Sequence, residues 1–443
     1  AEEQATVTLL VGEGPEYFRL FVVPSDPRLD VHLVGQDREG EIAWKPERCA
    51  GDGLSILADG PGEVDLDLHC HPRGVTGTVS VHVRERRLAI PADRKRARAE
   101  RSFQTAEKAR LLNDGGAIEG TIQAYERARE LWEAAGDSRR AARACHGLAQ
   151  IFEQLGEWRR AFDLYQDAVL IGRTLSDPGL ESEMRADLGF AHAVHGEPGR
   201  GAEECRAALE MAREAGADRG EAKALVCLGE VEYSRGHRQA AVDLFGQARA
   251  LWAGLADLSG SAQAEHLLGV SYSELSELER AEEHQRRALE LWRAHGERRG
   301  ELESLVALGV LLERTGEYQL ALNALAEATE LAEPIGDRLW QASILSATAL
   351  VYMRMGEAED ARTRWLQALE LSREAGVRMA ELDILLSLGE LDLEAGDLES
   401  ALGRFRQCLL LSQDLENPFL KAIALRFIGL TYEARGDPRE ALR

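Results

Sequence analysis

The segment "LGEVEYSRGHRQAA" (residues 228–241) has counterparts 40 and 80 residues further along the chain, "LGVSYSELSELERA" (268–281) and "LGVLLERTGEYQLA" (308–321). Each contains a glycine, a second small residue seven positions later, and an alanine five positions after that. A fixed period of this length indicates a repeat architecture, in which each unit buries its face on the next unit. The sequence therefore predicts a solenoid of 40-residue units.

Small turn residues occur in two series along the chain, and the second series lies 20 residues after the first. Glycine ends helices by adopting a positive φ, so each series marks a helix terminus and the unit is predicted to be two helices. The first series is Gly116, Gly156, Gly196, Gly236, Ser276, Gly316, Gly356, Gly396 and Gly436. The second is Gly136, Ser176, Gly216, Ala256, Gly296, Gly336 and Gly376.

Side-chain size also follows the period. Small residues recur seven positions before and five and twelve positions after the first-series turns, where they are predicted to let two helices approach closely. Larger residues nine positions after the turn are predicted to fill the remaining space: Tyr125, Tyr165, Phe245, Trp365 and Phe405.

This arrangement resembles the tetratricopeptide repeat (TPR) over about residues 97–443. The repeats of 40 residues exceed the usual 34 and look like those of kinesin light chains, spindle-orientation adaptors and many bacterial signalling proteins. The resemblance implies a mostly α fold, a right-handed α-solenoid of TPR helix pairs. Eight complete repeats fit, and a ninth is truncated, so we expect the parent chain to continue past Arg443.

Residues 1–90 show a different period. The stretches "EVDLDLHC", "TVSVHVR", "YFRLFVV" and "LDVHLV" are strand candidates, separated by turn signals. They predict a small antiparallel β-sandwich domain before the solenoid. Pro91 and Asp93 mark the change to a helical pattern, and residues 91–100 are predicted to be a basic linker and the start of the first helix.

Composition limits the possible partners. A net charge of −24 repels phosphate backbones, which argues against nucleic acid. The sequence contains no apolar run long enough to span a membrane. Arginine strongly outnumbers lysine, which suggests a bacterial source. The bacterial cytoplasm is the favoured location, with export or the cell envelope left open.

The sequence shows no catalytic, cofactor-binding or metal-binding motif. No Gly-rich phosphate loop, nucleophile elbow or paired-histidine metal helix is present, so residues 1–443 are predicted to be no enzyme and to hold no cofactor and no metal. The six cysteines have no metal-ligand spacing. A Cys49–Cys70 disulfide is left open, and Cys205 and Cys408 are predicted to be small buried thiols.

The sequence favours a binding function over a catalytic one. In tetratricopeptide repeats the first helices line a groove, and the family's groove positions fall here on a largely apolar set. That set suggests an amphipathic helix or an extended peptide as ligand, from a protein partner or from the chain's own carboxyl-terminal domain. The alternative is burial against neighbouring repeats. The candidate groove residues are Phe190, Val226, Tyr233, Val270, Val306, Val310, Leu350 and Met353.

The order of parts provides a second resemblance. A small β domain, a basic linker and 40-residue repeats resemble the amino-terminal part of bacterial proteins that end in a CHAT (caspase-like) protease domain. That resemblance implies that residues 1–443 are the regulatory region of such a protease. The alternatives are a free-standing TPR adaptor, or the sensory module of a bacterial transcription or signalling regulator.

Overall fold

The computed structural model describes residues 91–112, 118–155, 157–194, 197–335, 337–414 and 418–437. Between residues 3 and 88 it describes seven strands as backbone alone. The chain forms two compact units, residues 1–300 and residues 301–443.

The strands pair in two antiparallel sheets, ordered β1-β6-β3-β4 and β5-β2-β7. The four quoted strand candidates coincide with β2, β3, β6 and β7. Whether the two sheets face each other as a sandwich depends on side chains outside the described residues, as does the Cys49–Cys70 pair, so both stay predictions. The strands are β1 Glu3–Val11, β2 Glu16–Pro24, β3 Asp30–Asp37, β4 Gly40–Trp44, β5 Leu54–Ala58, β6 Gly62–His71 and β7 Val79–Leu88.

Seventeen helices follow in the part of the chain that the structure describes, and they make the protein mostly α. The first unit contains α1 Pro91–Leu112, α2 Ile118–Ala134, α3 Ser138–Gln154, α4 Trp158–Thr174, α5 Pro178–Val194, α6 Pro198–Ala215, α7 Asp218–Ser234, α8 Arg238–Gly254, α9 Leu258–Glu274 and α10 Leu278–His295. Helix α11 (Arg298–Thr315) begins at the boundary of the units. The second unit continues with α12 Tyr318–Ile335, α13 Arg338–Met355, α14 Ala358–Glu374, α15 Arg378–Glu394, α16 Leu398–Asp414 and α17 Pro418–Arg435.

The predicted turns are confirmed wherever the structure describes them. All twelve described turn positions have a positive φ, and Ser176, Ala256 and Ser276 adopt it although they are not glycine. The other four positions, Gly116, Gly156, Gly196 and Gly336, lie outside the described residues. A backbone bond closes the end of α2, where the Asp137 N–H donates to the Trp132 carbonyl at 2.9 Å. The odd-numbered helices are thus the first helices of the pairs, and the even-numbered ones are the second.

The predicted packing of small against large side chains is also confirmed. All five large residues nine positions after the turns are buried. In the α7–α8 pair, a Cβ built on Gly229 would lie 2.3 Å from a ring carbon of Phe245. The glycine is therefore needed because the aromatic ring occupies the place of a side chain.

One sequence interpretation needs correction. Cys205 is not a free thiol: it forms a disulfide with Cys227, which links α6 to α7 across a Cα–Cα distance of 6.2 Å. Cys408 is a free buried thiol, as predicted, and burial raises its pKa to about 12. Residues 91–100 are entirely helical because α1 begins at Pro91, whose missing N–H is tolerated at a helix start.

Candidate functional site

The predicted groove residues of the first unit lie on α5, α7 and α9. Val226 is only 4% exposed and belongs to a core cluster with Leu225, against which Phe190 packs. Tyr233 packs against the cluster around Phe245. Phe190, Tyr233 and Val270 keep part of their surface exposed, whereas Val226 is a core residue.

The other four predicted groove residues lie on α11 and α13, in the second unit. Val310 is 37% exposed, and Val306 is partly buried. Leu350 and Met353 pack against the core formed by α13 to α17 while keeping some exposed surface. Exposure alone does not identify a ligand, so the binding role of all eight residues stays a prediction.

Charged side chains from three successive first helices meet on one face of the first unit. The Asp187 carboxylate on α5 lies 3.0 Å from His146 Nε2 on α3. On its other side it accepts a hydrogen bond from Lys223 Nζ on α7 at 2.7 Å. Side chains of α3, α5, α7 and α9 surround these contacts and form one surface. We call this surface the first-helix face.

The charges of this network determine the protonation of its acids. Burial by itself would raise the pKa of Asp187, but the neighbouring Lys223 and His146 outweigh it and lower the pKa to about 2. Burial raises the pKa of Glu183, one helical turn earlier, and the nearby Lys223 and Arg219 only partly offset it. Asp187 is therefore a fixed negative charge, whereas Glu183 is protonated more easily than an ordinary glutamate.

Glu230 lies further along α7, one turn before Tyr233. Burial raises the pKa of Glu230 to about 7, and no opposite charge or hydrogen bond contributes among the residues that the structure describes. It occupies the repeat position held by Phe190 on α5 and by Val270 on α9. A desolvated carboxyl group therefore stands between apolar residues of the two neighbouring repeats.

A buried polar cluster fills the α9–α10 pair. Gln285 stands where other pairs have an aromatic residue, and its carboxamide oxygen lies 3.0 Å from His266 Nδ1. His284 Nδ1 lies 2.5 Å from the Glu265 carboxylate, and the His284 ring stacks on Tyr272. These contacts replace aromatic packing with hydrogen bonds inside the pair.

Sequence reasoning missed Asp187, Lys223 and the Cys205–Cys227 disulfide. A signal for the ionic network was available: the groove position thirteen residues before the turn is Arg143, Glu183 and Lys223 in successive repeats. Alternating charges at one repeat position indicate contacts between neighbouring first helices.

The described helices and turns contain neither a metal-binding cluster nor a membrane-spanning helix. Within them, no group of three or more His, Cys, Asp or Glu side chains is placed to hold a metal ion. No helix there combines the length and the apolar composition needed to cross a bilayer.

The geometry defines a class of protein, a helical repeat protein built from antiparallel helix pairs. Two family models of the tetratricopeptide repeat match the chain, one at residues 260–333 and 340–414 and the other at residues 144–179. Residues 144–179, 260–333 and 340–414 therefore contain tetratricopeptide repeats. Comparison with curated proteins gave no significant match.

Solved structures share the fold at low sequence identity. A Rap protein complexed with Competence and Sporulation Factor is 13% identical, with a TM-score of 0.51 over 74% of this chain and 99% of that one. A signal transduction ATPase (STAND) protein with a tetratricopeptide repeat sensor, from Pyrococcus horikoshii, is 14% identical with a TM-score of 0.52. That match covers 76% of this chain and 52% of the ATPase chain. At these identities the likeness shows the fold alone.

Proposed function

We propose that this protein is an interaction scaffold or sensor that binds a peptide, or a peptide-like segment of a protein partner, along its first helices. The observation that carries the proposal is the convergence of side chains from separate repeats, His146, Asp187 and Lys223, on one face. Beside them lie apolar side chains that stay partly exposed when successive repeats pack together, including Phe190 and Val270. Charged groups beside exposed apolar surface can recognise an extended or helical ligand by both shape and charge.

The two similar folds agree with this function. The Rap structure holds Competence and Sporulation Factor, and the ATPase uses its repeats as a sensor. Both are functions of those proteins, and for this chain a sensor role is a proposal that their shared fold supports.

We further propose that the chain is the regulatory region of a larger bacterial CHAT-type protease, located in the cytoplasm. The support is the order of parts: seven strands before residue 89, which we take as a small β-sandwich domain over residues 1–90, then helical repeats over residues 97–443. Under this proposal, the ligand of the first helices is a partner, a substrate or the chain's own carboxyl-terminal domain. A free-standing adaptor, or the sensory module of a transcription or signalling regulator, would use the same binding face.

The binding proposal is tested with a display library of random twelve-residue peptides selected on the immobilised protein. Enriched peptides are synthesised and titrated against the wild type, Val270→Asp and Val310→Asp. The matched control is Leu170→Asp, because Leu170 is 57% exposed on the second helix α4. We expect one or both groove variants to weaken binding at least about tenfold, which corresponds to about 1.4 kcal/mol, and the control to bind like the wild type.

Circular dichroism establishes that each variant keeps its helical content. If the enriched peptides bind both groove variants and the wild type equally well, the groove assignment is wrong.

A further inference from the structure

The fold supplies a counter-charge to each acidic side chain that it buries in the described part of the chain. Six Asp and Glu residues are buried there, and every one of them forms an ion pair. The pairs are Asp93 with Arg96, Glu100 with Arg140, Glu181 with Arg173, Glu265 with Arg249, Glu313 with Arg354, and Asp392 with Arg404. An ionised carboxylate removed from water without such a partner is costly, which explains the pattern.

Glu230 departs from this pattern. Its side chain is largely removed from water but keeps some exposed surface, and burial is the single cause of its raised pKa. Its carboxyl group forms no ion pair or hydrogen bond with any residue that the structure describes. The fold thus desolvates this acid, and no described residue supplies its counter-charge.

The neighbouring charged groups already have partners of their own. On the same helix, Lys223 Nζ lies 2.7 Å from Asp187. At the start of α8, the Arg238 guanidinium lies 4.0 Å from the centre of the Tyr233 ring and 3.7 Å from Glu274.

Helices α5 and α9 supply no free cation either. On α5, Glu183 and Asp187 are acids, while Arg185 lies 3.4 Å from Glu181 and His192 lies 3.1 Å from Glu197. On α9, His266 is bound to Gln285. The structure therefore offers Glu230 no basic partner from α5, α7, α8 or α9.

The surroundings of Glu230 indicate what would approach it. Phe190 and Val270 hold the same repeat position on the helices before and after α7. Val226 lies one turn before Glu230, in the core cluster against which Phe190 packs, and Tyr233 lies one turn after it. A ligand group that fits here carries one positive charge between apolar neighbours.

We propose that Glu230 is the anchor for a lysine or arginine side chain of the peptide ligand, with apolar ligand residues on both sides of that basic residue. This inference rests on the proposed peptide-binding function and specifies its ligand. The basic group provides the counter-charge that the fold withholds, and its methylene stem lies along Phe190 and Tyr233. A charge-assisted hydrogen bond in this partly desolvated site contributes more than it would in water.

The test uses the same random twelve-residue display library, selected in parallel on the wild type, E230Q and the matched control E274Q. Glu274 is a suitable control because it lies on α9, close to the same face, but its carboxylate is half exposed beside Arg238. Peptides enriched on the wild type are synthesised with their basic residue intact or replaced by norleucine, which keeps the stem and removes the charge.

We expect the wild type and E274Q to enrich peptides that carry Lys or Arg between apolar residues, and E230Q to lose that preference. Norleucine should weaken binding to the wild type about tenfold and change binding to E230Q less than twofold. A peptide with Glu in place of the basic residue should bind E230K more tightly than it binds the wild type.

Two other outcomes overturn the inference, and they separate it from the proposed function. If the enriched peptides show no basic preference, or prefer acidic residues, but still require Val270, then Glu230 is no anchor and peptide binding stands. If no peptide distinguishes the wild type from Val270→Asp and Val310→Asp, the proposed function fails, and the inference fails with it.

Discussion

The contact between Gly229 and Phe245 offers the sharpest test of how the helices pair. Gly229 lies in the middle of α7, and Phe245 faces it from α8. A Cβ built on Gly229 would lie 2.3, 2.6 and 2.9 Å from three atoms of the Phe245 ring. These separations are too short for carbon atoms in contact, so Gly229→Ala requires the ring or the helix to move.

A glycine without such a neighbour provides the reference. Gly246 also lies inside a helix, α8, but a Cβ built there meets nothing within 4 Å. Both substitutions by alanine gain helix propensity worth about 0.5–1 kcal/mol. Only Gly229→Ala also overpacks the core, at a cost of about 1–3 kcal/mol. We therefore expect Gly229→Ala to be about 1–3 kcal/mol less stable than Gly246→Ala, which should be more stable than the wild type.

The assay is urea denaturation monitored by far-ultraviolet circular dichroism. The midpoints are compared between variants whose unfolding free energy has the same slope against urea concentration. Phe245→Leu serves as a second-site probe, because a smaller side chain leaves room for the new methyl group. The double variant should be more stable than the sum of the two single effects by at least about 1 kcal/mol. If Gly229→Ala is as stable as Gly246→Ala, or if the two single effects are simply additive, the helices do not pack through this contact.

Three further predictions concern the charged and cross-linked groups. Asp187→Asn should lower stability by about 2 kcal/mol near pH 7, because the ion pairs hold the pKa of Asp187 at about 2 in the folded protein against 3.8 ordinarily. That contribution is present above about pH 4 and is lost as the pH falls toward 2, so unfolding measured across this range should bring the wild type and the variant together. Glu230→Gln should act in the opposite sense: because burial raises the pKa of Glu230 from 4.5 to about 7, ionisation destabilises the fold as the pH rises. The variant should therefore gain roughly 3 kcal/mol at pH 9 and nothing at pH 4, and a gain independent of pH would contradict this cause. Removing the Cys205–Cys227 cross-link, which closes a loop with a sequence separation of 22, by Cys205→Ser with Cys227→Ser should cost roughly 3 kcal/mol. Reductant should destabilise the wild type by a similar amount and leave the double variant unchanged, whereas an equal response of both proteins would exclude the disulfide.

The repeat itself could be predicted from the sequence because its rules are local. A helix that ends in a left-handed residue needs glycine or another small residue there, and the φ of 85° at Gly236 and of 62° at Ser276 meets that need. Two helices that cross closely need a small residue facing a large one, as Gly389 faces Phe405. Both rules are repeated along the chain, so an error at one position does not hide the period.

The first-helix face could not be predicted in the same way, because its contacts depend on the offset between successive repeats. Lys223 lies thirteen residues before its turn, and it meets Asp187, which lies nine residues before the turn of the preceding repeat. Cys227, nine residues before its turn, meets Cys205, nine residues after the preceding turn. The period gives equivalent positions but does not give this lateral offset, so neither pair could be assigned from spacing alone.

Departures from the repeat pattern mark the places where this chain differs from a generic helical repeat protein. At the position nine residues after the turn, where five other pairs have an aromatic side chain, Gln285 bonds to His266 and Cys205 is cross-linked to Cys227. Each of these departures has a partner inside the fold that compensates for the lost aromatic packing. Glu230 is also a departure, a carboxyl group between Phe190 and Val270 at the equivalent positions of the neighbouring repeats, but among the described residues it has no internal partner. Because an uncompensated local conflict is retained at functional sites more readily than in a structural core, Glu230 is the position at which binding is best tested first.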